Sequence, residues 1–216
     1  MTCAVCGAGP LRALPGPRDT LYHVCSRCGH TIIDPSLHPG PEAARSRYLL
    51  HTNGPGDRGY VDYLSGFLGR AVVPHLEPGS RILDFGSGPW PVLPGLLRAA
   101  GYRVDIFDPL FSPDPSYREN LYAAVVLLEV IEHIAEPYRI LSGLLGNLGD
   151  GGLLVIRTQP RPAADTEFLR WWYREDPTHV SFFTRKSLSV LASRLGGSLI
   201  RRDEAKGEFV LRLHIP

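Results

Sequence analysis

Two acids and two glycines carry the first chemistry legible in this chain. The run Arg81-Ile-Leu-Asp-Phe-Gly-Ser-Gly-Pro-Trp90 holds Asp84, Gly86, Ser87 and Gly88, and about twenty residues later Val104-Asp-Ile-Phe-Asp108 ends on a further acid. An apolar strand that enters an acid and closely spaced glycines, then a helix, builds a turn whose backbone approaches a ligand. A second short strand ending in Asp108 sets a carboxylate where it accepts the hydroxyls of a ribose. The pair predicts a nucleoside cofactor site, although the glycines alone are equally consistent with an ordinary strand-turn-helix connection. A dinucleotide fingerprint places a helix N-terminus against a pyrophosphate. Here Asp84 precedes the first glycine, and a carboxylate in that place repels pyrophosphate and suits a cationic amino-acid group.

Four cysteines form a second constellation, Cys3-x-x-Cys6 and Cys25-x-x-Cys28, with eighteen residues between the pairs. Glycines follow each pair (Gly7 and Gly29) and let the chain turn so that amides point at sulfur. Four thiolates at this spacing predict a tetrahedral, closed and therefore structural Zn2+ ribbon. Two disulfides are the competing pairing, and a chain without an export signal disfavours them. A module of this size cannot bury enough surface to fold alone, so the metal supplies most of its folding free energy. His23 and His30 flank the site; with four cysteines filling the shell, both are expected at the surface.

A third group lies in Ala123-Ala-Val-Val-Leu-Leu-Glu-Val-Ile-Glu-His133. The apolar strand ends at Glu129, at the edge of the sheet where ligands bind in open α/β folds. Glu129, Glu132 and His133 are spaced to share one side of a helical turn, and two carboxylates with an imidazole can hold a divalent ion.

The first run resembles motif I of the class I S-adenosylmethionine (SAM) methyltransferases. The resemblance implies that Gly86, Ser87 and Gly88 form the loop under the methionine part of SAM, supported by Asp84, that Asp108 binds the ribose, and that Glu129 lines the cofactor site. The run ending in His133 is similar to the E-V-x-E-H segment of ubiquinone-pathway O-methyltransferases and small-RNA 2′-O-methyltransferases. Some of these use it to bind magnesium or another divalent ion; in metal-free members the histidine hydrogen-bonds beside the cofactor. Asp176-Pro-Thr-His-Val180, followed by Phe182-Phe183, resembles a segment that roofs the acceptor pocket in small bacterial SAM methyltransferases. By that resemblance His179 and His133 face the acceptor, as bases or as metal ligands with Glu129 and Glu132. A histidine of unperturbed pKa, about 6.5, can take a proton at neutral pH. Trp171, Trp172 and Tyr173 make either an acceptor wall or a cover for the core.

The chain must position these residues with one main domain and a small appendage. Its 216 residues, 44% hydrophobic, suffice for one full core. The expected organisation is a zinc ribbon over 1–34, a linker and lid segment over 35–60 and a SAM-binding domain over 61–216. In the middle part Thr52-Asn-Gly-Pro-Gly-Asp-Arg-Gly59 reads as a flexible clasp or spacer, with His51, Asn53 and Tyr60 as secondary candidates. Strands are expected near 81–85, 103–107, 123–129 and 152–157, with an antiparallel pair at 198–202 and 209–213. Helices are expected near 61–73, 92–100, 137–147 and 185–195. The predicted class is α/β, a Rossmann-like seven-stranded class I methyltransferase sheet with a small N-terminal zinc ribbon.

Twenty-three basic residues against twenty-two acidic ones provide no global field for nucleic acid or an anionic membrane. No apolar run spans a bilayer and no signal peptide opens the chain, so a cytoplasmic protein with no membrane partner is expected. A small-molecule acceptor fits this charge and the aromatic segment. The alternatives are an RNA methyltransferase gripping its substrate through Arg12, Arg18 and Arg27 of the ribbon, and a non-catalytic SAM-binding or interaction module. The last draws on two departures from the family pattern: Trp90 where many relatives have a third glycine, and Ala123 where many have an acid.

Overall fold

The computed structural model describes residues 1–50 and 53–214. His51 therefore lies outside the described residues. The central sheet has the order β5-β4-β6-β7-β10-β9, formed by Arg103–Phe107, Arg81–Phe85, Tyr122–Leu128, Leu148–Arg157, Glu208–Leu213 and Gly197–Asp203. The first four strands are parallel, and β10 runs antiparallel between β7 and β9.

This corrects the expected seven strands to six among the described residues. The cause is chain length: only residues 108–121 connect β5 to β6, too few for a crossover helix and a further strand. They make a single bridge, Asp108 to Ser112, and the 3-10 turn Pro115–Glu119.

Both faces of the sheet are covered, which is why β6 reads as an unbroken apolar run. Val125 and Leu127 join Leu83, Leu154, Ile156 and Phe209 on one face. Ala124 and Val126 join Ile82, Leu153, Val155 and Val210 on the other. Helices α2 (Arg58–Phe67) and α3 (Val92–Ala99) cover the second face, and α4 (Pro137–Ser142) and α6 (Arg185–Arg194) pack on the first.

Helix α2 starts at 58 rather than 61, because Asp57 caps it by accepting from the Tyr60 N–H at 3.0 Å. It continues as one π-helical stretch, Leu68–Val72. Helix α4 stops at Ser142, short of 147, where Gly143 removes helical propensity. A short helix, α1 (Pro41–Leu49), precedes α2, and α5 (Asp165–Phe168) follows β7.

The N-terminal segment forms β1 (Arg12–Pro15), β2 (Leu21–Val24) and β3 (Thr31–Ile33), an antiparallel sheet. Its fourth strand comes from far along the chain: β8 (Ser181–Phe182) pairs with β3, Thr31 opposite Phe182 and Ile32 opposite Ser181. Cys3, Val5, Cys25 and Cys28 are buried in the same apolar cluster as Leu83 and Leu127 of the central sheet. On the outer side Leu14, Tyr22 and Val24 pack with Phe168 and Phe182. The N-terminal segment, expected to be a zinc ribbon, thus has no core of its own among the described residues.

Candidate active site

A cleft of about 1100 Å³ opens at the C-terminal ends of β4, β5, β6 and β7, lined by residues of all four strand ends together with α1, α2 and the segment 172–179. Ligand pockets commonly measure roughly 300–1,000 Å³. The cleft therefore has room for a nucleoside cofactor and a second small molecule.

On one side the sequence-predicted cofactor residues converge. Asp84, Gly86, Ser87, Gly88, Asp108 and Glu129 all line the cleft. Gly86 has φ +87°, and a Cβ there would stand 2.6 Å from Val130 Cγ2, so only glycine fits between the loop and the turn after β6. Asp108 accepts from the Gly88 N–H at 2.9 Å through Oδ2, and from the Leu110 and Phe111 N–H groups at 2.8 and 3.0 Å through Oδ1. These bonds tie the glycine loop to the end of β5. They also occupy three of roughly four acceptor directions of a carboxylate. One further hydroxyl can join; a second must displace an amide.

Asp84 is buried, and burial followed by the charge of Asp108 raises its pKa to about 7. A cation arriving in the cleft would pull it back toward ionisation. Trp90 is 52% exposed at the rim and leaves the cleft open.

The other side is built around Glu129. It takes φ +53°, which turns the chain sharply out of β6 and aims the side chain into the cleft. Glu129 Oε1 accepts from the Tyr63 hydroxyl at 3.0 Å and pairs with the Arg157 guanidinium; Oε2 accepts from the Tyr173 hydroxyl at 2.7 Å. Tyr173 also hydrogen-bonds Glu132 Oε1. Burial and the neighbouring Glu132 carboxylate raise Glu129 to about 7, and burial raises Glu132 as well. Tyr63 and Arg157 were not singled out in the sequence, and Tyr173 was expected only as an acceptor wall or a cover for the core. Tyr63 sits on the cleft-facing side of α2 and Arg157 ends β7, so the strand-end position was the available clue.

Glu132, His133 and His179 each bring a ligand atom within 4.8 Å of the others. Glu129, expected in the same set, instead belongs to the Arg157–Tyr63–Tyr173 network. His133 Nδ1 lies 2.8 Å from the Thr178 carbonyl and His179 Nδ1 lies 2.6 Å from the Tyr173 carbonyl. A carbonyl only accepts, so both Nδ1 atoms donate and the lone pair of each neutral ring is on Nε2. Glu132 is fully buried and its Oε2 has no hydrogen-bond partner. Burial and the His133 charge lower His179 to about 4, so it is neutral well below physiological pH. That corrects the expectation of an unperturbed histidine.

The aromatic run divides by residue. Trp171 packs with Phe168 and Phe182 in the outer core, Trp172 is 66% exposed at the cleft rim, and Tyr173 is buried in the carboxylate network. Asn53 and Tyr60 also line the cleft. Arg47 of α1 holds Asp176 through two bonds of 3.1 and 2.8 Å, and the Tyr48 ring meets His133 edge-on at 5.3 Å.

At the ribbon the sulfurs are gathered, all ligand atoms lying within 4.8 Å of one another. Cys3 and Cys28 are 3.7 Å apart, and Cys6 and Cys25 are 3.5 Å apart. Tetrahedral Zn–S bonds of about 2.3 Å require sulfur separations of about 3.8 Å, so the donors fit a zinc ion. All four are free cysteines. Sulfurs this far apart are not bonded in pairs. His30, expected at the surface, is only 1% exposed, between Cys3 and Ser181. His23 is half-buried and pairs with Asp34 at 2.8 Å.

Residues 58–200 match the family model described as a methyltransferase domain. No protein of curated function matches the sequence. Among solved structures, the chain resembles 1,6-didemethyltoxoflavin-N1-methyltransferase from Burkholderia thailandensis, solved with 1,6-didemethyltoxoflavin and S-adenosylhomocysteine (TM-score 0.58, 13% identity, 94% of this chain and 100% of that one). It also resembles CalO1, a methyltransferase of calicheamicin biosynthesis solved with S-adenosylhomocysteine (TM-score 0.52, 15% identity), aligning over 73% of its own length and only 55% of that chain. The [4+2]-cyclase SpnF has the same fold at TM-score 0.52 and 14% identity, over 83% of this chain and 98% of that one. At these identities the likeness is one of fold, and SpnF illustrates that the fold serves more than one chemistry.

Proposed function

The chain belongs to the methyltransferase-domain family, and from that premise we propose that it is a SAM-dependent enzyme that methylates a small-molecule acceptor. The observation that carries this reading is the meeting of Asp84, the Gly86–Gly88 loop and Asp108 in one cleft large enough for two ligands. When bound, SAM supplies an electrophilic methyl group on a sulfonium. The residues of this chain bind and orient. Asp84 offers a carboxylate to the amino-acid ammonium, the glycine loop admits close approach of backbone, and Asp108 accepts a ribose hydroxyl. The protein's main contribution is to hold the acceptor in line at near-attack distance.

Charge supports a small molecule over RNA. The cleft is lined by Asp84, Asp108, Glu129, Glu175 and Asp176, and its two arginines, Arg47 and Arg157, are each paired with one of these acids. A phosphate track needs unpaired cations. Of the three arginines expected to grip RNA, Arg12 and Arg18 are paired with Asp165 and Glu175, which leaves Arg27 as an exposed cation outside these ion pairs.

Glu132, His133 and His179 complete the reading as a site for a divalent ion beside the acceptor. One carboxylate and two imidazoles suit manganese, iron or zinc better than magnesium. The orphaned Glu132 Oε2 is the strongest single reason, because a buried carboxylate oxygen with no partner is costly. The four ribbon cysteines are assigned a structural zinc ion. A neutral His179 on the acceptor side can take the proton that leaves the acceptor, and a divalent ion held by Glu132, His133 and His179 would lower the pKa of that acceptor group.

Calorimetric titration of the protein with S-adenosylhomocysteine tests the proposal. One-to-one micromolar binding that is lost in Asp108→Ala is expected. Folded protein that does not bind would overturn it.

A further inference from the structure

We propose that the four-cysteine ribbon is the positioning element for the acceptor side of the cleft, with His30 as its positioning residue. The inference rests on the reading of the cleft as a methyl-transfer site for its meaning, and on the structure alone for its geometry.

Val180 joins the two regions. Its carbonyl accepts from the Ile33 N–H of β3 at 3.0 Å, and its own N–H donates to the Glu132 carbonyl at 2.9 Å. One residue is thereby shared between the ribbon and the turn that bears Glu132 and His133. On either side the same segment makes further attachments. Thr178 accepts from His133 Nδ1, and Ser181 and Phe182 pair with β3. Thr184 then donates to the Cys28 carbonyl at 2.8 Å. His179 sits in the segment leading into β8, so its ring is placed by chain anchored at the ribbon on one edge and at the Glu132 turn on the other.

His30 links the sulfurs to that strand. Its Nδ1 is 3.8 Å from Cys3 Sγ and its Nε2 is 2.7 Å from Ser181 Oγ. A thiolate holding zinc would only accept, in which case Nδ1–H would donate to Cys3 and Nε2 would accept the Ser181 hydroxyl proton. A ligand's outer partner fixed in this way is characteristic of metal sites. The imidazole is buried against the Phe183 ring at 5.0 Å and has no solvent alternative.

The ribbon meets the cofactor half through apolar packing at Leu83, without a hydrogen bond of this kind among the described residues. Asp84, the glycine loop and Asp108 are held by β4, β5 and their mutual hydrogen bonds. Loosening the ribbon should therefore loosen the acceptor side and spare cofactor binding.

The test is hydrogen exchange on the full chain with bound S-adenosylhomocysteine, comparing the native protein, His30→Leu and protein stripped of zinc by a chelator, with metal content measured throughout. The expected result is at least tenfold faster exchange in peptides covering 176–183 and a shifted His179 imidazole proton resonance. Strands β4 and β6 should stay protected, and S-adenosylhomocysteine affinity should stay within threefold. Unchanged protection of 176–183 and an unmoved His179 resonance in His30→Leu would overturn the proposal, as would protection lost uniformly across the chain. If His30→Leu does not fold, Ser181→Ala removes the same hydrogen bond and is read by the same two signals. Protein that carries no zinc would sink the metal assignment alone, since His30→Leu still decides the coupling. Failure of the methyltransferase reading shows separately, as absent S-adenosylhomocysteine binding.

Discussion

The hydroxyl of Tyr173 lies 2.7 Å from Glu129 Oε2 and is hydrogen-bonded to Glu132 Oε1 as well. A phenol has one proton to give, so one of these two contacts is made with a proton carried by a carboxyl group. Burial raises the pKa of both Glu129 and Glu132, and the Glu132 charge raises Glu129 further. Tyr173→Phe should remove the shared donor and cost about 1–3 kcal/mol of stability. The loss should be larger at pH 8 than at pH 5.5, because ionised carboxylates need the donor most. Chemical denaturation at the two pH values checks this; an equal loss at both would mean that Tyr173 acts only by packing.

Asp84 makes cofactor binding depend on pH. Its pKa is raised to about 7 by burial in the free protein, and a bound ammonium lowers it, so binding releases a proton. Affinity for S-adenosylhomocysteine should rise between pH 6 and pH 8, and calorimetry in buffers of different ionisation enthalpy should register the released proton. The same shift affects stability without ligand. A carboxyl raised on folding stabilises below its unfolded pKa of about 4, and that contribution is lost as pH rises through about 7. Asp84→Asn should therefore stabilise the ligand-free protein at pH 8 by about 1–3 kcal/mol, with little gain near pH 4, while weakening S-adenosylhomocysteine.

Divalent-ion binding at Glu132, His133 and His179 should strengthen from pH 6 to pH 8. Protons compete for Glu132 and, through its shared hydrogen bond, for Glu129, whose pKa is about 7. His179, lowered to about 4, is already neutral throughout this window and adds nothing to the slope. Cobalt absorption provides the readout, with His179→Ala expected to weaken binding at least about tenfold. Affinity that does not change across this range would place the ion elsewhere.

Gly86 and Gly88 should differ sharply on substitution. Both have positive φ, but a Cβ at 86 meets Val130 at 2.6 Å whereas one at 88 meets nothing within 4 Å. Gly88→Ala should cost only backbone strain, about 1 kcal/mol. Gly86→Ala should cost about 2–4 kcal/mol and reduce S-adenosylhomocysteine affinity more than tenfold. Val130→Ala added to Gly86→Ala should recover part of the loss, which thermal melts and calorimetry can measure.

Much of the sheet was legible because each of its strands is a short apolar run between turn residues. Strands β4 and β5 lie where their residues predicted, β9 and β10 pair antiparallel, and β6 is displaced by one residue because Glu129 turns out of the strand. The seventh strand was expected from the family pattern alone, without a range in this sequence, and the fourteen residues between β5 and β6 cannot accommodate it. The glycine loop and its two acids were legible because local backbone geometry demands particular residue types there.

The sequence by itself determined what depends on nearest neighbours along the chain: alternating strands and helices, four cysteines spaced for one metal, a glycine turn beside an acid. Only the tertiary structure decided which distant groups share a dry environment. Tyr63, Tyr173 and Arg157 reach Glu129 from three different elements, His30 is buried by a strand some 150 residues away, and Asp84 and His179 have their charges suppressed by burial. Desolvation and hydrogen-bond saturation are properties of the packed whole, so no spacing within the chain encodes them.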